Sequence, residues 1–285
     1  MKQKILTLQQ MHREGTKLLE NAGIPDASLD AWLLLSFVTG LDRASYYGRM
    51  GEAVETERAE RYYEVIKRRS RRIPLQHITG EQEFMGYAFC VNEHVLIPRQ
   101  DTETLVEEAL KRLKAGMRIL DLCTGSGCIL LSVLKMGEES MHIKGLSGVG
   151  TDISKEALAV AERNAGRLGV EADLRQGDLF ANVEGRFDMI VSNPPYIPTK
   201  VIEGLQEEVK LHDPYIALDG KEDGLYFYKK IIRESKAYLK EGGCLLFEIG
   251  HDQAEAVSAL MRAAGYRDIC VKKDLSGLDR VVSGM

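Results

Sequence analysis

Apolar residues recur at helical spacing, with polar residues between them, from Leu6 to Leu19, from Ala27 to Val38 and from Val54 to Ile66, and this pattern predicts three helices. Gly23-Ile24-Pro25-Asp26 separates the first two, and Gly40-Leu41-Asp42 with Gly48 and Gly51 separates the second from the third, as helix stop and start signals. Trp32 and the leucines after it are expected to form the core of this helical domain, residues 1–73. Lys67-Arg68-Arg69-Ser70-Arg71-Arg72 closes it as a solvated helix end helped by the macrodipole; such a run can also meet an acidic partner or RNA phosphate. Pro74 marks the exit. Residues 74–97 are expected to link the halves, with Gln82 to Val91 alternating loosely around Gly86 as a short β-hairpin and a second such run ending at Ile97-Pro98.

Residues 98–285 follow a different rhythm. Asp101 or Thr102 is placed to cap a helix whose apolar face includes Leu105, Val106, Ala109, Leu110 and Leu113. From Met117 strands alternate with helices: strands at Arg118 to Leu122, Ser147 to Thr151, Ala172 to Gln176, Phe187 to Ser192 and Cys244 to Ile249, helices at Cys128 to Leu134, Ser154 to Leu168, Leu225 to Leu239 and Ala254 to Ala264. Two closing strands, Tyr266 to Lys272 and Arg280 to Ser283, are joined by a turn at Ser276-Gly277. Such alternation predicts an α/β domain with a seven-stranded, mostly parallel, Rossmann-like sheet, helices on both faces and an antiparallel edge.

Composition narrows the class. A chain of 285 residues with 44% hydrophobic content has room for two domains and a substantial core. Its 38 basic and 43 acidic residues, net charge −5, give no overall case for nucleic-acid binding. The five cysteines (Cys90, Cys123, Cys128, Cys244, Cys270) are odd in number and lack a C-x-x-C pair, which reads as reduced thiols in a cytoplasmic protein. Met1-Lys2-Gln3-Lys4 leads into an amphipathic pattern without an apolar signal core, and the most apolar run, Ala31 to Val38, is too short to span a bilayer. A protein with no export and no membrane association is expected. Six scattered histidines lack ligand spacing, so no metal is expected.

The candidate chemistry sits at strand ends. Asn193-Pro194-Pro195-Tyr196 stops the fourth strand rigidly, because two successive prolines remove two N–H donors and fix φ. Asn193 offers a carboxamide where open α/β sheets place ligands, and the Asn193 and Pro194 carbonyls can accept from a substrate NH2, with Tyr196 beside it. An ordinary strand-ending turn is the competing role. After the first strand, Thr124-Gly125-Ser126-Gly127 opens a helix whose N–H groups favour a carboxylate; Leu130 in place of a third glycine leaves the dinucleotide fingerprint incomplete. Asp152 ends the second strand, placed for ribose hydroxyls or for capping, though Ser154 suits capping better. Gly177-Asp178-Leu179-Phe180 follows the third strand with a carboxylate and an apolar floor suited to a purine. Asp101, Glu103, Glu208 and Glu248 are further potential acids or bases, read as structural salt links because nothing in the sequence pairs them.

This order of glycine loop and two strand-end carboxylates resembles the class I S-adenosylmethionine-dependent methyltransferases. Pro98-Arg99-Gln100-Asp101-Thr102-Glu103, Asp121 to Gly127, Asn193 to Ile197, Asp223-Gly224-Leu225 and Asp274 to Arg280 are similar to the release-factor glutamine methyltransferases, the PrmC/HemK group. Cys123 stands where that group usually has glycine, and Asp213-Pro214 where Glu-Pro is usual. The resemblance implies that the methionine part of the cofactor lies against Cys123, Thr124, Gly125, Ser126 and Gly127, with Asn193 beside it. Ribose would lie on Asp152, and adenine near Asp178 and Leu179. It places the acceptor glutamine amide among Asn193, Pro194, Pro195 and Tyr196, with Asn193, Pro194 and Tyr196 as the catalytic set. It further implies a monomer that grips peptide chain release factors through its helical domain and this pocket, turning S-adenosylmethionine into S-adenosylhomocysteine. From the residues alone, adenine N6 methylation of nucleic acid and a non-catalytic RNA- or ribosome-binding module stay open.

Overall fold

In the computed structural model, which describes residues 6–285, the chain divides into two compact units at Gly80. The first holds α1 (Leu8–Asn21), α2 (Ala27–Thr39), α3 (Arg43–Arg49), α4 (Thr56–Ser70) and α5 (Leu75–Thr79). Thr7 starts α1 with a capping box: its hydroxyl accepts from the Gln10 N–H while its own N–H donates to the Gln10 side chain, so two otherwise unpaired donors are satisfied. Met11, Leu19, Ala31, Leu34, Leu35, Tyr62 and Ile66 form the buried centre, with Trp32 among them. Sequence periodicity showed three of these five helices; α3 and α5 span two turns or less, too short for a periodic pattern. The basic run is not simply solvated. Arg69 is buried, its Nε donating to Asp30 at 2.6 Å, and Arg72 donates to the Ala22 carbonyl at 3.3 Å, leaving Lys67 and Arg71 as exposed cations.

The second unit opens with the hairpin β1 (Glu81–Phe84) and β2 (Tyr87–Cys90), turned by Met85 and Gly86 at φ 52° and 77°, the left-handed pair that a two-residue hairpin needs. The run to Ile97-Pro98 is not a strand, because the Asn92 side chain accepts from the His94 N–H at 3.0 Å and turns the chain locally. Next come α6 (Gln100–Leu110), β3 (Arg118–Leu122), α7 (Cys128–Glu139), β4 (Ser147–Asp152), α8 (Lys155–Leu168), β5 (Asp173–Gln176) and β6 (Phe187–Ser192). The short helices α9 (Thr199–Ile202), α10 (Glu207–His212) and α11 (Tyr215–Leu218) precede α12 (Tyr226–Tyr238), β7 (Leu239–Glu248), α13 (Ala254–Ala263), β8 (Cys270–Lys273) and β9 (Asp279–Gly284). Arg99 occupies the cap position of α6 without a side-chain cap; Asp101 instead pairs with Arg280 at 3.2 Å, and Thr102 is buried.

Seven strands form one sheet in the order β5-β4-β3-β6-β7-β9-β8, parallel except for β9, which runs antiparallel to both β7 and β8. Side chains alternate across it. Leu120, Ile190, Leu245, Phe247 and Val282 pack on one side with α12 and α13, while Ile119, Met189, Val191, Leu246 and Val281 pack on the other with α6, α7 and the hairpin residues Phe84 and Phe89. Both faces are therefore covered. The chain winds outward in opposite directions from β3 and β6, so the carboxyl ends of these two strands flank the crevice where such sheets bind ligands.

Candidate active site

The β3–α7 loop is built to be open on one side. Its Thr124 hydroxyl donates to buried Asp121 at 2.6 Å, its Thr124 N–H to the Thr151 carbonyl at 2.9 Å, and Asn164 holds the Ser126 carbonyl at 2.9 Å. Gly127 caps α7 at φ 78°, where a Cβ would approach Leu131 at 3.0 Å and Ala161 at 3.3 Å; only glycine suits both the conformation and the packing. Cys123 also sits in the left-handed region, at φ 60°, which gives a backbone reason for the glycine usual at that place. Burial, first of all, and the nearby Asp152 and Asp121 push its thiol far above the ordinary cysteine range, so Cys123 presents a neutral S–H.

Asp152 ties the next two elements together. One carboxylate oxygen accepts from the Gly125 N–H and the other from the Ser154 N–H, both at 2.9 Å, while the Ser154 hydroxyl caps α8 by accepting from Ala157 at 3.0 Å. Burial raises the Asp152 pKa and these backbone donors oppose the rise. Each oxygen retains acceptor capacity beyond one N–H. At the end of β5, Asp178 takes an ammonium from Lys230 of α12 at 2.9 Å, and buried Leu179 follows it at φ 54°.

These strand ends share one cleft, which encloses about 1010 Å³ including its open mouth. Of the residues proposed from sequence, Cys123, Thr124, Gly125, Ser126, Asp152, Asp178, Leu179, Asn193 and Pro195 line it. Gly127, Pro194 and Tyr196 do not: Gly127 is the helix cap, Pro194 is buried, and Tyr196 turns its hydroxyl to Glu248 at 3.3 Å. Val95, Ile153, Ile216 and Phe227 complete the wall with apolar surface, and sequence reasoning missed all four. Ile153 was within reach, since it directly follows the Asp152 carboxylate in the chain.

Motifs far apart in sequence converge behind this wall. The Tyr196 carbonyl accepts from Gln253 Nε2 at 3.0 Å. Gly224, at φ 72°, lies so near that a Cβ there would stand 2.4 Å from the same carbonyl oxygen, which accounts for glycine in Asp223-Gly224-Leu225. Arg99 pairs with Asp213 at 2.7 Å, so the Asp-Pro of this chain makes the ion pair with a shorter arm than Glu-Pro would. All five cysteines are free, and among the described residues no His, Cys, Asp and Glu group is arranged to hold a metal ion. Among the described residues no helix is long and apolar enough to cross a membrane.

Two buried carboxyls near the cleft have a measurable consequence. Burial drives Asp121 from 3.8 to about 7 and Glu248 from 4.5 to about 7, against hydrogen bonds that favour ionisation. A carboxyl whose pKa is raised by folding holds its proton more tightly in the folded chain, so its contribution to stability is present below the unfolded pKa and is lost as pH rises through 7. The melting temperature is therefore expected to fall between about pH 4 and pH 7 and to level off above, and the fall should shrink in Asp121→Asn. A flat melting profile across that window would contradict it. Asp188 and Asp274, with lowered pKa values, work in the opposite sense and lose their contribution only in acid.

Comparison with known proteins places this architecture. Residues 10–80 match the family described as PrmC N-terminal domain, and residues 100–209 that described as Methyltransferase small domain. The Release factor glutamine methyltransferase of Geobacter sulfurreducens is 41% identical over 284 residues, 99% of this chain and 98% of that one. That of Caulobacter vibrioides is 42% identical over 285 residues, covering 98% of this chain and 96% of its own. Among solved structures, a methyltransferase from Pyrococcus furiosus shares the fold at 19% identity and a TM-score of 0.52, covering 70% of this chain and 89% of that chain. The chain belongs to the release factor glutamine methyltransferases.

Proposed function

We propose that this chain transfers a methyl group from S-adenosylmethionine to the side-chain amide nitrogen of the glutamine in the Gly-Gly-Gln motif of peptide chain release factors, leaving S-adenosylhomocysteine. The observation that carries this reading is Asn193 in the wall of the cleft that also holds Asp152 and Asp178. Relatives named for this reaction match nearly the whole chain and favour a glutamine amide over an adenine amino group as acceptor.

The residues present fit the cofactor. Asp152 has acceptor capacity left for ribose hydroxyls, Asp178 offers a carboxylate to an exocyclic amino group, and Leu179, Ile153 and Phe227 give a purine its apolar faces. The loop from Cys123 to Gly127 would hold the methionine part. When bound, S-adenosylmethionine supplies the methyl as an electrophilic carbon on a sulfonium centre.

The acceptor requires more help from the protein, because an amide lone pair is delocalised into its carbonyl and attacks poorly. Asn193 Oδ1 and the Pro194 carbonyl accept from the amide NH2, which raises electron density on nitrogen and fixes its direction. The same acceptors stabilise positive charge as it develops there, so no strong base is needed before transfer. Pro194 and Pro195 hold the backbone in place, and Tyr196, outside the cleft lining, braces the turn through its hydroxyl on Glu248. The helical unit is, in this reading, the module that grips the factor, and α2 exposes Leu29, Leu33 and Phe37 at i, i+4, i+8 spacing for it. The enzyme works as a cytoplasmic monomer.

Incubation with isotope-labelled S-adenosylmethionine and a release factor, followed by peptide mass spectrometry, is expected to place one methyl on the Gly-Gly-Gln glutamine. Label on DNA adenine with none on that glutamine would overturn the assignment.

A further inference from the structure

We propose that Glu248 is a positioning residue for methyl transfer: its buried carboxyl, at the end of β7, holds the Tyr196 hydroxyl from behind the cleft and so fixes the turn that carries Asn193 in the cleft wall. This rests on the reading of Asn193 to Tyr196 given above. Glu248 is 2% exposed, in the last position of a strand that is otherwise apolar from Cys244 onward. A carboxyl there is costly unless something uses it. The Tyr196 hydroxyl donates to Glu248 Oε1 at 3.3 Å, and Thr102 of α6 is a second hydrogen-bonding neighbour of the same carboxyl.

The rest of the surroundings indicate a holder rather than an ion pair formed for stability. Arg280, the nearest cation, is already claimed: its guanidinium donates to Asp274 through Nε at 3.1 Å and Nη2 at 3.0 Å, stands 3.2 Å from Asp101, and reaches the Ile249 carbonyl at 3.3 Å. One positive charge faces three carboxyls, and burial, first of all, raises the Glu248 carboxyl to about 7, so near neutrality it takes up a proton and works as a hydrogen-bonding group rather than as an ion-pair partner. The charged and titratable groups around it come from every packed element: Asp101 of α6, Cys128 of α7, Tyr196 after β6, Tyr228 of α12, and Arg280 of β9 with Asp274 behind it. Tyr228 donates to the Glu248 main-chain carbonyl at 2.9 Å, which locks the residue that carries the carboxyl.

Tyr196 is thereby fastened at two points, its hydroxyl by Glu248 and its carbonyl by Gln253. The arrangement also gives a joint task to segments with no evident chemistry of their own. The start of α6 and the turn before β9 set Arg280, Arg280 orders the neighbourhood of Glu248, and Glu248 sets Tyr196 beside Asn193.

The test uses Glu248→Ala, Glu248→Gln, Tyr196→Phe and the double variant Glu248→Ala/Tyr196→Phe in the full chain. Glu248→Ala is expected to lower kcat roughly 10- to 100-fold, with cofactor affinity and factor KM nearly unchanged, as for a misplaced reacting group. Glu248→Gln keeps an acceptor of the same shape and should restore most of the loss. The double variant should be no slower than the slower single one, because both remove the same contact. A readout independent of the acceptor is the 13Cζ resonance of Tyr196, assigned by its absence in Tyr196→Phe. It should move in Glu248→Ala, and in the wild type it should titrate with a midpoint near 7, a step absent from Glu248→Gln. An unmoved resonance, effects on kcat that multiply, or a folded Glu248→Ala with normal kcat each overturns the proposal. If the wild type methylates some other acceptor, the glutamine assignment falls; the same kcat split measured on that acceptor, with the resonance, then supports or overturns the pairing.

Discussion

Replacing Asn193 with alanine is expected to lower kcat at least about 100-fold while cofactor affinity changes only a few-fold, because the carboxamide acts on the acceptor as charge develops. The substitution is well suited to isolating that role. Asn193 is only half-buried, and the chain around it is held by other means: the Ser192 hydroxyl donates to the Leu122 carbonyl at 2.7 Å, and two buried prolines follow. Removal of the carboxamide therefore leaves the β6 end where it was. Single-turnover transfer to a release factor, with calorimetry on S-adenosylmethionine, separates the two effects. Near-normal turnover in a folded variant would remove this turn from the mechanism, and an equal loss in cofactor affinity would make Asn193 a cofactor ligand first.

The parts of this site that could be read from sequence are those encoded by adjacent residues. Asp152 and Asp178 each follow an apolar or alternating run, and Asn193 precedes two prolines, so each declares itself as a strand end within a window of a few residues. The fold was legible for the same reason, since β3, β4, β6 and their intervening helices are long enough to show a period. What stayed hidden depends on pairing across the chain. Glu248 reads as a structural salt link until the fold brings the Tyr196 hydroxyl to it instead, and Arg69 reads as a solvated cation until Asp30 meets it inside the helical unit. The helices α9 to α11 escaped because each is six residues or fewer, among Pro198, Gly204 and Pro214, which look like loop. The extent of β7 escaped as well, because Gly242-Gly243 resembles a turn, although the chain passes through it with a register shift opposite Phe187 and Met189.

Replacing Asp152 with alanine is expected to weaken binding of both S-adenosylmethionine and S-adenosylhomocysteine by about 100-fold or more, since two charge-assisted hydrogen bonds of roughly 1.5–3 kcal/mol each are lost with the ribose. The loss has a second source within the protein. The same carboxylate accepts from Gly125 of the β3–α7 loop and from Ser154 at the start of α8, so its removal unfastens the loop from the helix and leaves the Gly125 N–H without its acceptor. Asp152→Asn separates the two sources, because it keeps the volume and one acceptor oxygen but turns an NH2 toward a backbone N–H; an intermediate loss is expected. Thermal melting gives a matching readout. Saturating S-adenosylhomocysteine at about 100 times its Kd should stabilise the wild type by about 2.7 kcal/mol, and the same concentration should hardly move the alanine variant. Cofactor affinity within about threefold of the wild type, in a chain that still melts cooperatively, would show that this carboxylate only braces the loop and that the ribose is held elsewhere.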